Sequence, residues 1–108
     1  MREADIQADI VQYLRLSGWF VTVTSQDKAT RRQVEGLPDL IAIKHDRVLF
    51  VEVKSRRGRL RKSQREWLDK LAPHMGMHVL YTVARSLNDV MTVTEMEIKQ
   101  CQTNHPSE

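Results

Sequence analysis

GLPDLIAIKHDRVLFVEVK, residues 36–54, is the stretch whose reading decides the fold. Its two apolar runs, Leu40 to Ile43 and Val48 to Val53, are short and rich in β-branched residues, and a polar break at His45-Asp46 separates them. That pattern predicts a β-hairpin of paired antiparallel strands. With the turn centred between His45 and Asp46, Ile43 opposes Val48, Ile41 opposes Phe50 and Asp39 opposes Glu52. Pro38 cannot donate to a ladder, so it belongs at a strand start and puts Asp39 at the first paired position. Side chains alternate along a strand, so Asp39 and Glu52 share one face, with Lys54 two residues beyond Glu52. Opposed like charges destabilise a sheet, and a carboxylate on a covered face is costly unless paired or metal-bound. A divalent cation would resolve the conflict.

Both strands are apolar on both faces, the mark of a doubly covered sheet with helices packed on each side. The elements around them follow the same logic. Ile6, Ile10, Tyr13 and Leu14 make one helical stripe within residues 2–16, stopped by Ser17-Gly18, and Glu3 falls in that sector. A first-turn glutamate ordinarily complements the helix dipole; this one is also placed to point across the core edge toward the acids. Trp19 to Thr24 alternates as a strand, with Trp19, Val21 and Val23 on one face. Ser25 to Glu35 reads as a polar loop bearing Lys28, Arg31 and Arg32.

Beyond the hairpin, Leu60, Gln64, Trp67, Leu68 and Leu71 recur at helical spacing. Ser63 with Glu66 offers a capping box there, or the helix starts a turn earlier. Trp67 lies on the leucine stripe and reads as core, and Gln64 is a buried polar residue in need of partners, which the groups near Lys54 can supply. Pro73 to Gly76 ends this helix and His78 to Val83 reads as a further strand. A short helix from Ser86 to Met91, then an edge strand or turn over Thr92 to Ile98, is expected next. Residues 1–100 are expected to form one domain, with 101–108 a polar tail.

Composition bounds the class. At 108 residues there is room for a single core, and 41% hydrophobic with 29% charged residues is ordinary for a globular protein. No apolar run is long enough to cross a membrane, no signal-peptide core follows the N-terminal Met-Arg-Glu-Ala-Asp, and the one cysteine, Cys101, fits a reducing cytoplasm. The four histidines and Cys101 lack zinc-ligand spacing. Net charge is only +3 but unevenly placed. Of the 17 Lys and Arg, seven (Lys54, Arg56, Arg57, Arg59, Arg61, Lys62, Arg65) crowd one acid-free stretch, leaving ten against 14 acids elsewhere. A local positive field beside a candidate metal site points to a polyanion, with Arg56, Arg57, Arg59, Arg61 and Lys62 on its phosphates and Arg31 and Arg32 as further contacts.

Gly-Leu-Pro-Asp at 36–39 followed by Phe-Val-Glu-Val-Lys-Ser at 50–55 resembles the PD-(D/E)xK nuclease signature. With Glu3 in the first helix, Gly58, Leu60 and the Gln64–Trp67 pair, the chain is similar to the VRR-Nuc family, specifically its compact stand-alone members of the kind found in phages, over about Glu3 to Val83. Arg61-Lys62 departs from the small-residue and proline lead-in usual before the second helix. The resemblance implies a restriction-endonuclease-like α/β fold, a central mixed β-sheet flanked by helices in the order αβββαβ. It implies metal-dependent cleavage of DNA, with Mg²⁺ or Mn²⁺ held by Asp39, Glu52 and the Val53 backbone carbonyl. Glu3 would complete the acidic cluster, and Gln64 would support the catalytic Lys54 or the substrate. It also implies a homodimer that resolves four-way (Holliday) junctions in the cytoplasm of a bacterial or phage-infected cell. A flap or duplex nickase, a non-catalytic DNA-binding module and a protein-interaction domain are the alternatives.

Overall fold

The hairpin forms in the expected register. In the computed structural model, which describes residues 2–25 and 34–103, β2 (Leu40–Lys44) pairs antiparallel with β3 (Arg47–Val53), with Ile43 opposite Val48 and Ile41 opposite Phe50. The two-residue turn puts His45 at φ 56°, the left-handed region. β1 (Phe20–Val23) lies antiparallel on the outer side of β2, and β4 (Val79–Ala84) runs parallel to β3, giving a four-stranded mixed sheet ordered β1-β2-β3-β4. A parallel partner needs a crossover, and α2 (Lys62–Leu71) with the 3₁₀ turn Ala72–His74 supplies it. α1 (Glu3–Leu16) precedes the sheet and α3 (Leu87–Thr103) follows it, so the order is αβββαβ with a closing helix.

Strand alternation sorts the side chains. Val21, Leu40, Ala42, Leu49, Val51 and Val53 face α1 and α3, where Ile6, Ile10, Leu14 and Val90 complete a closed apolar core. Residues of the other parity face α2, where Trp67 packs its ring edge against Phe50 with centroids 5.1 Å apart and lies 6.4 Å from Tyr81. Both faces are therefore covered by helices, and Trp67 is a packing residue.

Two expectations need correction. The segment from Thr92 to Ile98 is neither strand nor turn: α3 runs through it unbroken. Its β-branched residues suggest a strand, but the Thr94 hydroxyl bonds back to the Val90 carbonyl at 3.0 Å and meets the Tyr13 hydroxyl at 2.8 Å, so a helix accommodates it. Ser63 is not a cap either. The helix begins at Lys62, because the Gln64 side-chain oxygen accepts the Arg61 backbone N–H at 2.8 Å. Arg31, Arg32 and Lys28 lie outside the described residues, as do positions 104–108 of the expected tail.

Candidate nuclease site

At the end of β3 the chain carries Glu52, Val53 and Lys54, all buried. Glu52 is only 2% exposed although its neighbours Val51 and Val53 belong to the closed core on the opposite face. Its carboxylate Oε2 accepts from the Gln64 amide at 3.0 Å and lies 3.8 Å from the Lys54 ammonium. Its Oε1 has no hydrogen-bond donor. A buried carboxylate oxygen without a partner is expensive, so it marks a place where the fold tolerates cost.

Asp39 is positioned from three directions. The Asp39 carbonyl accepts the Thr24 N–H at 2.8 Å, extending β1 past its last paired residue, while the Thr24 hydroxyl donates to the Pro38 carbonyl. The carboxylate Oδ2 accepts the Val53 N–H at 2.8 Å, which brings it beside Glu52. Burial first, then the Asp39 charge and the hydrogen bond that a protonated Glu52 donates to Asp39, push the Glu52 carboxyl up to about 8, against the opposing pull of Lys54 and Arg61. The same site reaches Tyr81, whose phenol burial, with the Glu52 and Asp39 charges behind it, pushes up to about 12.

Gln64 is the hinge between helix and site. Its amide oxygen caps α2 and its amide nitrogen holds Glu52, so one 4%-exposed residue satisfies both needs of a buried glutamine. The Gly-Leu-Pro-Asp loop packs directly on this helix start. Gly36 sits at φ +83°, and a Cβ there would stand 2.1 Å from the Ser63 carbonyl oxygen, so only glycine fits.

Glu3 lies elsewhere on the rim. Its carboxylate is exposed and accepts the Ser55 N–H at 3.2 Å, tying α1 to the residue after Lys54. It lines one open cleft together with Gln7, Ser25 and Asp39. Among the described residues no group of three His, Cys, Asp or Glu side chains is gathered around one point, and Glu3 faces Asp39 across the shared cleft. Two hard oxygen ligands, one with an unpaired buried oxygen, still form a donor set that fits a divalent cation.

Arg56, Arg57, Arg59, Arg61 and Lys62 are all exposed, strung between Lys54 and α2. Sequence reasoning missed what holds this loop. Arg85, just past β4, donates through Nη1 to the carbonyls of Ser55 (2.8 Å), Gly58 (2.5 Å) and Arg56 (3.4 Å). No local signal marks it, since those acceptors lie 27 to 30 residues away in the chain.

The VRR-NUC domain profile matches residues 2–87. A solved structure described as a VRR_NUC domain protein superposes with a TM-score of 0.70 at 21% identity, covering 92% of this chain and 89% of the other. No curated protein matches. Among the described residues no helix is long and apolar enough to cross a membrane. With most of its length matched by the profile and its fold shared with that neighbour, the chain belongs to the VRR-NUC domain family of the PD-(D/E)xK nuclease superfamily, a nuclease-type domain that acts on DNA.

Proposed function

We propose that the chain is a divalent-metal-dependent endonuclease that hydrolyses phosphodiesters of branched DNA, four-way junctions above all, as a homodimer in the cytoplasm of a bacterial or phage-infected cell. The observation that carries the catalytic part is the unpartnered, buried Glu52 Oε1 beside Asp39. Asp39, Glu52 and the Val53 carbonyl would hold Mg²⁺ or Mn²⁺, hard cations that suit oxygen ligands. When bound, such an ion polarises the scissile phosphate and makes water a better nucleophile.

The chain's own groups supply the rest. Lys54, 3.8 Å from Glu52, is the cation placed to orient the attacking water and to offset negative charge gathering on the phosphate. Gln64 holds the Glu52 carboxylate in place, so it is a positioning residue. Val53 N–H holds Asp39 in the same way. The exposed arginines of the 56–61 loop and Lys62 grip flanking phosphates without reading bases, and Arg31 and Arg32 are proposed to add to them. One site cuts one strand. Paired nicks across a junction therefore require two chains related by a twofold axis.

Cleavage of labelled four-way junction, flap and duplex DNA with Mg²⁺ or Mn²⁺, wild type beside Asp39→Ala, tests this reading. Paired symmetrical nicks in the junction, lost in the variant, are expected. Cutting without junction preference would leave a flap or duplex nickase. Binding without cutting by folded protein would leave a DNA-binding module.

A further inference from the structure

Beside the acids lies a second cavity, of about 490 Å³, lined by Arg59, Leu60, Arg65, Val83 and Arg85. Three of its five lining residues are arginines. None of the three guanidinium groups makes an ion pair with an acid among the described residues; the Asp89 carboxylate accepts the Arg85 backbone N–H at 2.8 Å. Like charges gathered around one cavity repel, and although Arg85 also holds the basic loop, the side chains of Arg59 and Arg65 make no hydrogen bond or ion pair among the described residues.

Arg85 shows how the cavity is prepared. Its Nη1 is spent on the carbonyls of Ser55, Arg56 and Gly58, which fixes the planar guanidinium. Nε–H and Nη2–H make no hydrogen bond among the described residues, and that edge is the fork that fits two oxygens of an oxyanion. Arg65 extends from α2 immediately after Gln64, the residue that donates to Glu52. Val83 stands opposite Glu52 in the β3–β4 register, so the cavity opens on the face of the sheet that carries Glu52. The remaining lining, Leu60 and Val83, is apolar and offers nothing to read a base edge.

We propose that this cavity is a subsite for one non-scissile phosphate of the DNA strand, its deoxyribose resting on Leu60 and Val83, which sets the register of the strand across Asp39 and Glu52. The inference rests on the DNA-acting reading and adds Arg65 and Arg85 to the substrate contacts. It separates Arg59 from its loop neighbours Arg56 and Arg57, which do not line the cavity.

The test uses metal-free protein and labelled oligonucleotides, single-stranded and duplex, each carrying one uncharged methylphosphonate at a successive position. Wild type, Arg65→Ala, Arg65→Lys and, as a control on the same helix outside the cavity, Lys70→Ala are compared, with thermal melts confirming folding. A single position at which the neutral linkage weakens wild type and Lys70→Ala about tenfold, with no further loss in Arg65→Ala and a partial one in Arg65→Lys, is expected. Equal small losses at every position in all four proteins, or no binding at all, would overturn the subsite. A preference for a 5′-phosphate over a 5′-hydroxyl end that Arg65→Ala abolishes would mean that the cavity holds a chain end, which also overturns the internal assignment. If the footprint appears but wild type cuts nothing with Mg²⁺ or Mn²⁺, the nuclease reading fails and the subsite stands. If it cuts without a footprint, the reverse holds.

Discussion

The two faces of the sheet are built from the same strands and do opposite things. Toward α1 and α3, Leu40, Leu49 and Val51 are completely buried among Ile10 and Leu14. Toward α2 the cover is thin: Ile43 is 39% exposed, Phe20 is 68% exposed, and the only buried residue of α2 is the polar Gln64. β3 shows the division most sharply, since Val51 and Val53 serve the first face and Glu52 between them serves the second. Burying each large apolar side chain contributes about 1.5–3 kcal/mol, so the closed face carries the stability and leaves the other free to hold groups that cost stability.

That contrast can be broken or sharpened by substitution, and the largest effect is expected at Glu52. Glu52→Gln should lower metal-dependent cleavage by about a hundred- to a thousandfold or more in steady-state assays, while denaturant unfolding of the metal-free protein shows stability unchanged or raised. Leu49→Ala, on the opposite face, should lose about 2–5 kcal/mol in the same unfolding experiment, and its activity should follow the folded fraction. Should Glu52→Gln instead unfold the protein, the division between the faces is wrong.

Gly36→Ala joins the two properties. A Cβ against the Ser63 carbonyl, at a positive φ, should cost about 1–3 kcal/mol and depress cleavage by more than the folded fraction explains. The Gly-Leu-Pro-Asp loop and the helix start that carries Gln64 must both move.

The effect of pH is subtler. The Glu52 carboxyl is raised to about 8 in the folded protein from an ordinary 4.5, so between these values the folded state binds a proton that the unfolded state has released. Its contribution to stability is complete below about 4.5 and is lost as pH rises through about 8. Metal-free wild type should therefore lose stability across this window in denaturant titrations, and Glu52→Gln should remove that part of the slope. The smallest expected change is at Arg56, exposed and outside the arginine-lined cavity. Arg56→Ala should weaken DNA binding modestly at every sequence and reduce the salt dependence of log K by about one, measured by anisotropy at several salt concentrations.

The hairpin was legible because its information is local. β-branched runs, a two-residue break and a proline at the strand start set both register and faces, and with them the convergence of Asp39, Glu52 and Lys54. Gln64 stood out as a polar residue on an apolar stripe, and its partners, Glu52 and the Arg61 N–H, were found where that oddity pointed. Other features misled. Thr92, Val93 and Thr94 carry strand propensity, yet the Thr94 hydroxyl is satisfied inside a helix. Packing against Tyr13 overrides the local preference.

By itself the sequence determined the alternation of apolar side chains, the antiparallel register of β2 and β3 and the presence of two acids and a lysine at one strand end. These follow from a period of two and a short turn, which neighbouring residues dictate. Only the tertiary structure decided that Glu3 holds Ser55 from 52 residues away, that Gly36 admits the start of α2, and that Arg85 pins the basic loop. Such contacts depend on how helices settle on a twisted sheet, a consequence of the whole core that no local stretch of chain encodes.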